Sequence, residues 1–285
     1  MSSILEYLVL PILGFVILYL LVLRSVYRAV VRPPRVREGW ALGRGLPLDP
    51  DHLGVPWSEV EGLDSAWILE GGGTTNWLLL HGHGRSRRVW MHVLPELLPH
   101  AGSVVVVDFP GHGDADGEVQ LGRCEHEALA SWLESSGARW CVAGMSMGAA
   151  VALRLAAQAE CVDGAMGLGA GDLAEVLAGK LRQKGLPRDI LVTPVCWWLK
   201  CRGRLPGPLH EIAPICPIGL VHGTRDEVAP MQSMQHLAAE KNWSFESLPD
   251  AGHDLLGPAH AGSVARLMQD FAERYDSAHD DQNRT

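Results

Sequence analysis

Residues 139–158, RWCVAGMSMGAAVALRLAAQ, decide how the chain folds. An apolar run, Trp140–Ala143, meets Gly144-Met145-Ser146-Met147-Gly148, and Ala, Leu and Val then recur at helical spacing from Ala149 to Ala157. The pattern is strand, abrupt turn, helix, with a serine at the apex. Glycines two residues before and after the serine remove the Cβ atoms that would collide where a strand turns back into a helix. The serine oxygen is thereby lifted clear of the sheet edge. The N–H groups at the helix start, Met147 first, are unpaired and point at whatever that oxygen attacks.

Working outward, strands alternate with helices. Ala66–Glu70 and Asn76–Leu80 read as strands separated by a Gly71-Gly72-Gly73 turn, and the second ends in His81-Gly82-His83-Gly84. A helical stretch, Val89–Leu98, is interrupted by Pro95. Ser103–Asp108 follows, its consecutive valines typical of a strand buried on both faces. Helix Glu125–Ser135 leads to the serine strand. Strands at Val162–Leu168, Ile218–His222 and Ser244–Leu248 come later, with a helix from Pro230 to Lys241 and a closing helix at Ala259–Tyr275. This alternation predicts an α/β fold with a mostly parallel sheet whose sites gather at the carboxyl ends of the strands.

A chain of 285 residues that is 47% hydrophobic can bury a large core. Its net charge of −9 argues against nucleic acid as a partner. The six cysteines are scattered without zinc-type spacing, and Cys196 and Cys201, five apart, would not face each other well on a helix. Asp114–Glu118 lacks the full ligand spacing of a calcium loop and reads as a solvated acidic loop. No metal or cofactor is implied.

Ile4–Leu23, ILEYLVLPILGFVILYLLVL, holds a single charge, Glu6. At a rise of ~1.5 Å per residue it spans ~30 Å, the thickness of a bilayer core. Lys and Arg are missing before it and a small-residue cleavage site after it, so it reads as an uncleaved anchor rather than a signal peptide. Arg24, Arg28, Arg32, Arg35 and Arg37 follow the span, which predicts that the domain after it is cytoplasmic and held near anionic headgroups. The expected order is an anchor and basic segment at 1–38, a linker at 39–65, the α/β domain at 66–275 and a disordered tail at 276–285. Within the domain, 171–214 breaks the alternation and reads as a lid-like insert. Its Trp197-Trp198 pair would line an acyl pocket, touch the membrane interface or pack the insert onto the domain.

Ser146, Asp226 and His253 come in the order nucleophile, acid, histidine, each just beyond a predicted strand. A serine hydroxyl is a weak nucleophile at neutral pH, so His253 must take its proton. Asp226 would hold the imidazole in the right tautomer and stabilise its cation. The oxyanion needs two donors: the Met147 N–H and one from the loop after His81-Gly82, assigned to His83. Asp108, His112 and His222 read as structural, and Glu227 and Asp254 fit the acid position less well than Asp226.

HGHG (81–84), DFPGHG (108–113), GMSMG (144–148), HGTRDEVAP (222–230) and DAGH (250–253) together resemble the α/β-hydrolase superfamily over Ala66–Tyr275. The likeness is greatest to its serine-esterase, lysophospholipase and monoacylglycerol-lipase branch. One departure is Asp114 after the PGHG turn, where many relatives have a small residue. The resemblance implies a nucleophilic role for Ser146, the acid role for Asp226 and the base role for His253. The expectation is a membrane-anchored serine hydrolase cleaving a small-molecule or lipid ester through an acyl-enzyme. A thioesterase, acyltransferase or peptidase would use the same residues, and a non-catalytic binding protein is the remaining alternative.

Overall fold

The computed structural model describes residues 2–36, 38–43 and 45–282; Arg37 of the basic run and positions 283–285 of the expected tail lie outside the described residues. Eight strands, β1 (Trp57–Glu59), β2 (Ala66–Glu70), β3 (Thr75–Leu80), β4 (Ala101–Val107), β5 (Trp140–Met145), β6 (Val162–Leu168), β7 (Ile218–Gly223) and β8 (Ser244–Leu248), form one sheet. Its order is β1-β2-β4-β3-β5-β6-β7-β8. The pairs β1–β2 and β2–β4 are antiparallel, and every pair beyond them is parallel.

Successive strand side chains point to opposite faces, so each central strand feeds two cores. On one face Trp77, Leu79, Val104 and Val106 meet Val264, Met268 and Phe271 of α9 (Ala261–Gln282). On the other, Leu78, Leu80, Val105 and Val142 meet Leu133 of α4 (Glu125–Ser135) and Leu153 of α5 (Met147–Gln158). Covering both faces is what permits the near-continuous apolar sequences of β3, β4 and β5.

Several boundaries differ from the sequence reading. β1 lies in the stretch read as linker; three residues are too few for a periodic signal, and the pairing Ser58 with Ile68 on the edge of β2 holds it. Val89–Leu98 is a 3₁₀ turn at Arg87–His92 followed by the short α3 (Leu94–Leu97), with Pro95 tolerated in its first turn. The closing helix runs past Tyr275 to Gln282 into the segment expected as a disordered tail, a stretch without Gly or Pro to stop it.

α1 (Ser2–Val31) is a single helix, and Val9–Val31 is long and apolar enough to cross a membrane. It continues unbroken past Leu23, the expected end of the span. Tyr7, Leu10, Ile12, Phe15, Leu18 and Leu21 are exposed, whereas Val26, Tyr27, Val30 and Val31 are buried. These four pack on the insert, which forms α6 (Leu173–Gln183) and α7 (Arg188–Cys201), against Leu177, Leu181, Leu191, Val195 and Leu199. Tyr27 stacks on Trp198 at 4.3 Å between ring centroids, and the Tyr19 hydroxyl donates to the Ile190 carbonyl at 2.8 Å. The tryptophan pair therefore divides: Trp198 fastens the insert to α1, and Trp197 is 66% exposed.

If the stacked pair couples α1 to the insert, Tyr27→Ala and Trp198→Ala will destabilise non-additively. The expected coupling is about 0.5–1.5 kcal/mol in a double-mutant cycle of thermal unfolding. Strict additivity would mean that the two rings only fill space.

Candidate active site

β5 ends at Met145 and α5 begins at Met147, leaving Ser146 alone to reverse the chain. It does so at φ 54°, ψ −110°, a conformation costly for a residue with a Cβ, and its N–H donates to the Leu168 carbonyl at 2.8 Å. The flanking glycines are required by contact. A Cβ on Gly148 would sit 2.5 Å from the Leu80 oxygen, and one on Gly144 would strike the Gly148 carbonyl.

The loops after β7 and β8 bring the other two expected residues to this apex. His253 Nε2 is 3.0 Å from Ser146 Oγ, and His253 Nδ1 is 2.8 Å from Asp226 Oδ2. The Asp226 carboxylate is fully buried, and its Oδ1 accepts the N–H groups of Val228 (2.8 Å) and Ala229 (2.9 Å). Burial alone would raise its pKa. Hydrogen bonds from His222 and His253, the His253 charge and the Ala229 N–H outweigh that and hold the carboxyl below the usual range. Glu227 is exposed and Asp254 faces Arg85 at 3.8 Å, so neither competes for His253.

His222, read from sequence as a structural strand-end residue, belongs to the same network. Its Nε2 lies 3.1 Å from Asp226 Oδ2 and 2.8 Å from the Ala229 carbonyl. Two acceptors at one nitrogen mean that Nε2 carries the proton and shares it. The signal for this was available in HGTRD, where His222 stands four residues before the acid across a tight turn.

The His81–Gly84 turn passes beside Ser146: a Cβ on Gly82 would be 3.5 Å from the serine Cβ. Among the described residues no acceptor takes the His83 N–H, and the Met147 N–H opens a helix and has no intrahelical partner. The His83 ring faces away, its Nε2 2.7 Å from the Val30 carbonyl of α1. His81 donates from Nδ1 to the Gly82 carbonyl (2.8 Å) and accepts the Phe109 N–H at Nε2 (3.0 Å), tying the turn to the end of β4. Asp108 braces that end, accepting from the Arg87 N–H (2.6 Å), its guanidinium (2.8 Å) and the Asp114 N–H (3.0 Å). The 114–118 loop is not simply solvated as the sequence suggested. Asp114 pairs with Arg87 and Arg88, Asp116 with Arg35, and Glu118 with Arg204.

Ser146, Met147 and His83 open on a cavity of about 650 Å³, within the usual range for a small-molecule site. Apolar residues of α1 and α6, among them Val26, Val30, Val176 and Leu177, make up much of its wall, with charged side chains such as Arg154 and Lys180 between them. The insert thus lies over the serine, but neither tryptophan lines the cavity. Among the described residues no group of three or more His, Cys, Asp or Glu is arranged to hold a metal ion.

Gly148→Ala is expected to lower the unfolding temperature steeply or abolish folding. Gly257→Ala, where a Cβ meets nothing within 4 Å, should leave it nearly unchanged. Equal effects would contradict the packing at the turn.

Burial is the leading cause that lowers His81 to about 4 and His83 and His112 to about 3. The unfolded chain binds these protons near pH 6.5 and the folded chain does not. The stability they confer is therefore complete above pH 6.5 and is lost as pH falls toward 4 and 3. The slope has a ceiling of ~1.4 kcal/mol per pH unit for each histidine. Denaturant midpoints should fall steadily between pH 7 and 5; a flat profile would show these rings to be solvated.

Comparison with known proteins agrees with this architecture. Residues 77–209 match a model of the alpha/beta hydrolase family. A stretch of 51 residues is 43% identical to the pimeloyl-[acyl-carrier protein] methyl ester esterase of Pectobacterium carotovorum, spanning 18% of this chain and about a fifth (20%) of that enzyme's length. The Pyrococcus furiosus esterase Pf2001 superposes with a TM-score of 0.69 at 23% identity over 86% of this chain and 98% of that one. A membrane phospholipase A described as a bacterial virulence factor superposes with a TM-score of 0.59 at 21% identity, covering 97% of this chain and 99% of its own. With the matching family model and the order of the parallel strands, these likenesses show that the chain has the α/β-hydrolase fold.

Proposed function

We propose that this chain is a membrane-anchored serine hydrolase that cleaves carboxylic esters with an apolar acyl group. The observation that carries the reading is the unbroken line from Ser146 Oγ through His253 to Asp226, opening on a largely apolar cavity. Substrate binds with its acyl chain along α1 and α6 and its carbonyl carbon over Ser146. His253 Nε2 takes the hydroxyl proton as Oγ attacks, and the Asp226 carboxylate stabilises the resulting imidazolium. The tetrahedral oxyanion accepts hydrogen bonds from the N–H groups of His83 and Met147, each worth roughly 10²–10³ in rate. Collapse breaks the acyl–oxygen bond, and the departing alcohol takes the proton from His253. Water, deprotonated by the same imidazole, then releases the acid and restores the serine.

Membrane attachment is supported by the exposed apolar half of α1 and by the arginines that follow it. The 97% overlap with the membrane phospholipase A extends into that helix, since the α/β domain alone is a smaller part of the chain. Arg24, Arg28 and Arg32 on the domain side of the span favour a cytoplasmic domain.

The detergent-solubilised chain is expected to react with a fluorophosphonate probe and to hydrolyse p-nitrophenyl acyl esters. Ser146→Ala should abolish labelling and lower turnover by at least ~10⁴-fold. A folded wild type that neither labels nor turns over any ester would overturn the reading and leave a binding protein.

A further inference from the structure

The turn from Gly82 to Gly84 lies between the serine and the end of α1. On one side a Cβ on Gly82 would be 3.5 Å from the Ser146 Cβ, and on the other a Cβ on Gly84 would be 3.6 Å from the Pro33 Cβ. His83 stands between two glycines, so the turn has one side chain with which to hold itself. That side chain donates from Nε2 to the Val30 carbonyl at 2.7 Å. A carbonyl only accepts, so Nε2 carries the proton, and burial keeps the ring neutral by lowering its pKa to about 3.

The sequence of α1 makes that carbonyl available. A helical carbonyl is ordinarily met by the N–H four residues further on. For Ala29 and Val30 those residues are Pro33 and Pro34, and neither has an N–H. The helix closes at Val31, with the Arg32 N–H donating back to the Arg28 carbonyl at 2.8 Å. Val30 is buried, and its carbonyl takes from the His83 ring the hydrogen bond that its own helix cannot supply.

The Gly82 carbonyl and the His83 N–H belong to one planar peptide group and point opposite ways. The carbonyl end is held by His81 Nδ1 at 2.8 Å and by the Arg85 N–H at 3.1 Å. The other end is held by the His83 ring on Val30. We infer that Val30, at the end of α1, is a positioning residue for the reaction: its carbonyl fixes the His83 ring and thereby aims the His83 N–H at the oxyanion. This rests on the hydrolase reading above and extends it, because the helix read as a membrane anchor becomes a support of the oxyanion hole. A donor serves the oxyanion only at about 2.7–3.1 Å, and a misplacement of ~1 Å costs about 10² in rate. A ring that loses its hold on α1 therefore slows the chemical step and leaves the acyl wall of the cavity as it was.

The test uses the full chain in detergent and two matched substrates, an acyl ester and the thionoester in which sulfur replaces the carbonyl oxygen. Sulfur is a weak acceptor, so a fitted oxyanion hole favours the oxygen ester. Wild type should show that preference. His83→Leu keeps the N–H and loses the ring; kcat for the oxygen ester should fall about tenfold or more with KM nearly unchanged, and the preference should fall with it. His83→Gln, whose amide N–H reaches the place of Nε2, should restore both, whereas His83→Asn, one bond shorter, should behave as His83→Leu. Partial unfolding would slow both substrates alike, so the ratio reads the positioning and not the amount of folded protein. No preference in wild type, a preference unchanged in His83→Leu and His83→Asn, or a His83→Gln no better than His83→Leu overturns the inference. Fluorophosphonate labelling of Ser146 in wild type separates the two failures: a labelled, active protein that gives any of these results loses only the positioning role, and an unlabelled, inactive one loses the hydrolase reading.

Discussion

The structure depends on one tight approach, the reversal of the chain at Ser146. The turn brings the backbone of α5 against the end of β3 so closely that Gly148 has no room for a methyl group. In exchange the serine adopts a left-handed conformation that no β-strand or helix would impose, and its hydroxyl stands free of both. The cost is met by the sheet, whose central strands are buried on both faces and make the turn's two arms immovable. A strained apex needs such rigid supports, because a looser frame would relax the serine into the sheet.

Everything else in the site arrives from loops at the same sheet edge, and each is restrained by a separate device. Asp226 is pinned by two backbone N–H groups and by His222, leaving one lone pair for His253. The loop that carries His83 is clamped by His81 to β4 and by its own ring to the Val30 carbonyl. Buried histidines suit this work because a neutral imidazole is donor on one nitrogen and acceptor on the other. They join backbone groups without placing a charge beside the serine.

The bond from His83 to Val30 also gives α1 two roles. Its first part is apolar and exposed, as a bilayer would demand. Its last turns are buried under α6 and α7 and form a wall of the cavity. The last turns of the helix and the insert pack together through the Tyr27–Trp198 stack, and both line the opening over Ser146.

The fold and the three residues Ser146, Asp226 and His253 were legible in the sequence because each is written in local pattern. Strand and helix periodicities are short-range, and glycines mark the turn that only they permit. His222 in the acid's network, the ion pairs of the 114–118 loop and the charged side chains of the cavity wall were not legible, since those partners lie far apart in the chain or look structural in isolation. Nor did periodicity distinguish the two halves of α1: Leu21 and Val26 are equally apolar, yet one is exposed and the other buried. Local sequence determined which segments are strand, turn and helix. Packing of distant segments alone decided what each side chain faces, because contact between residues remote in the chain leaves no periodic trace.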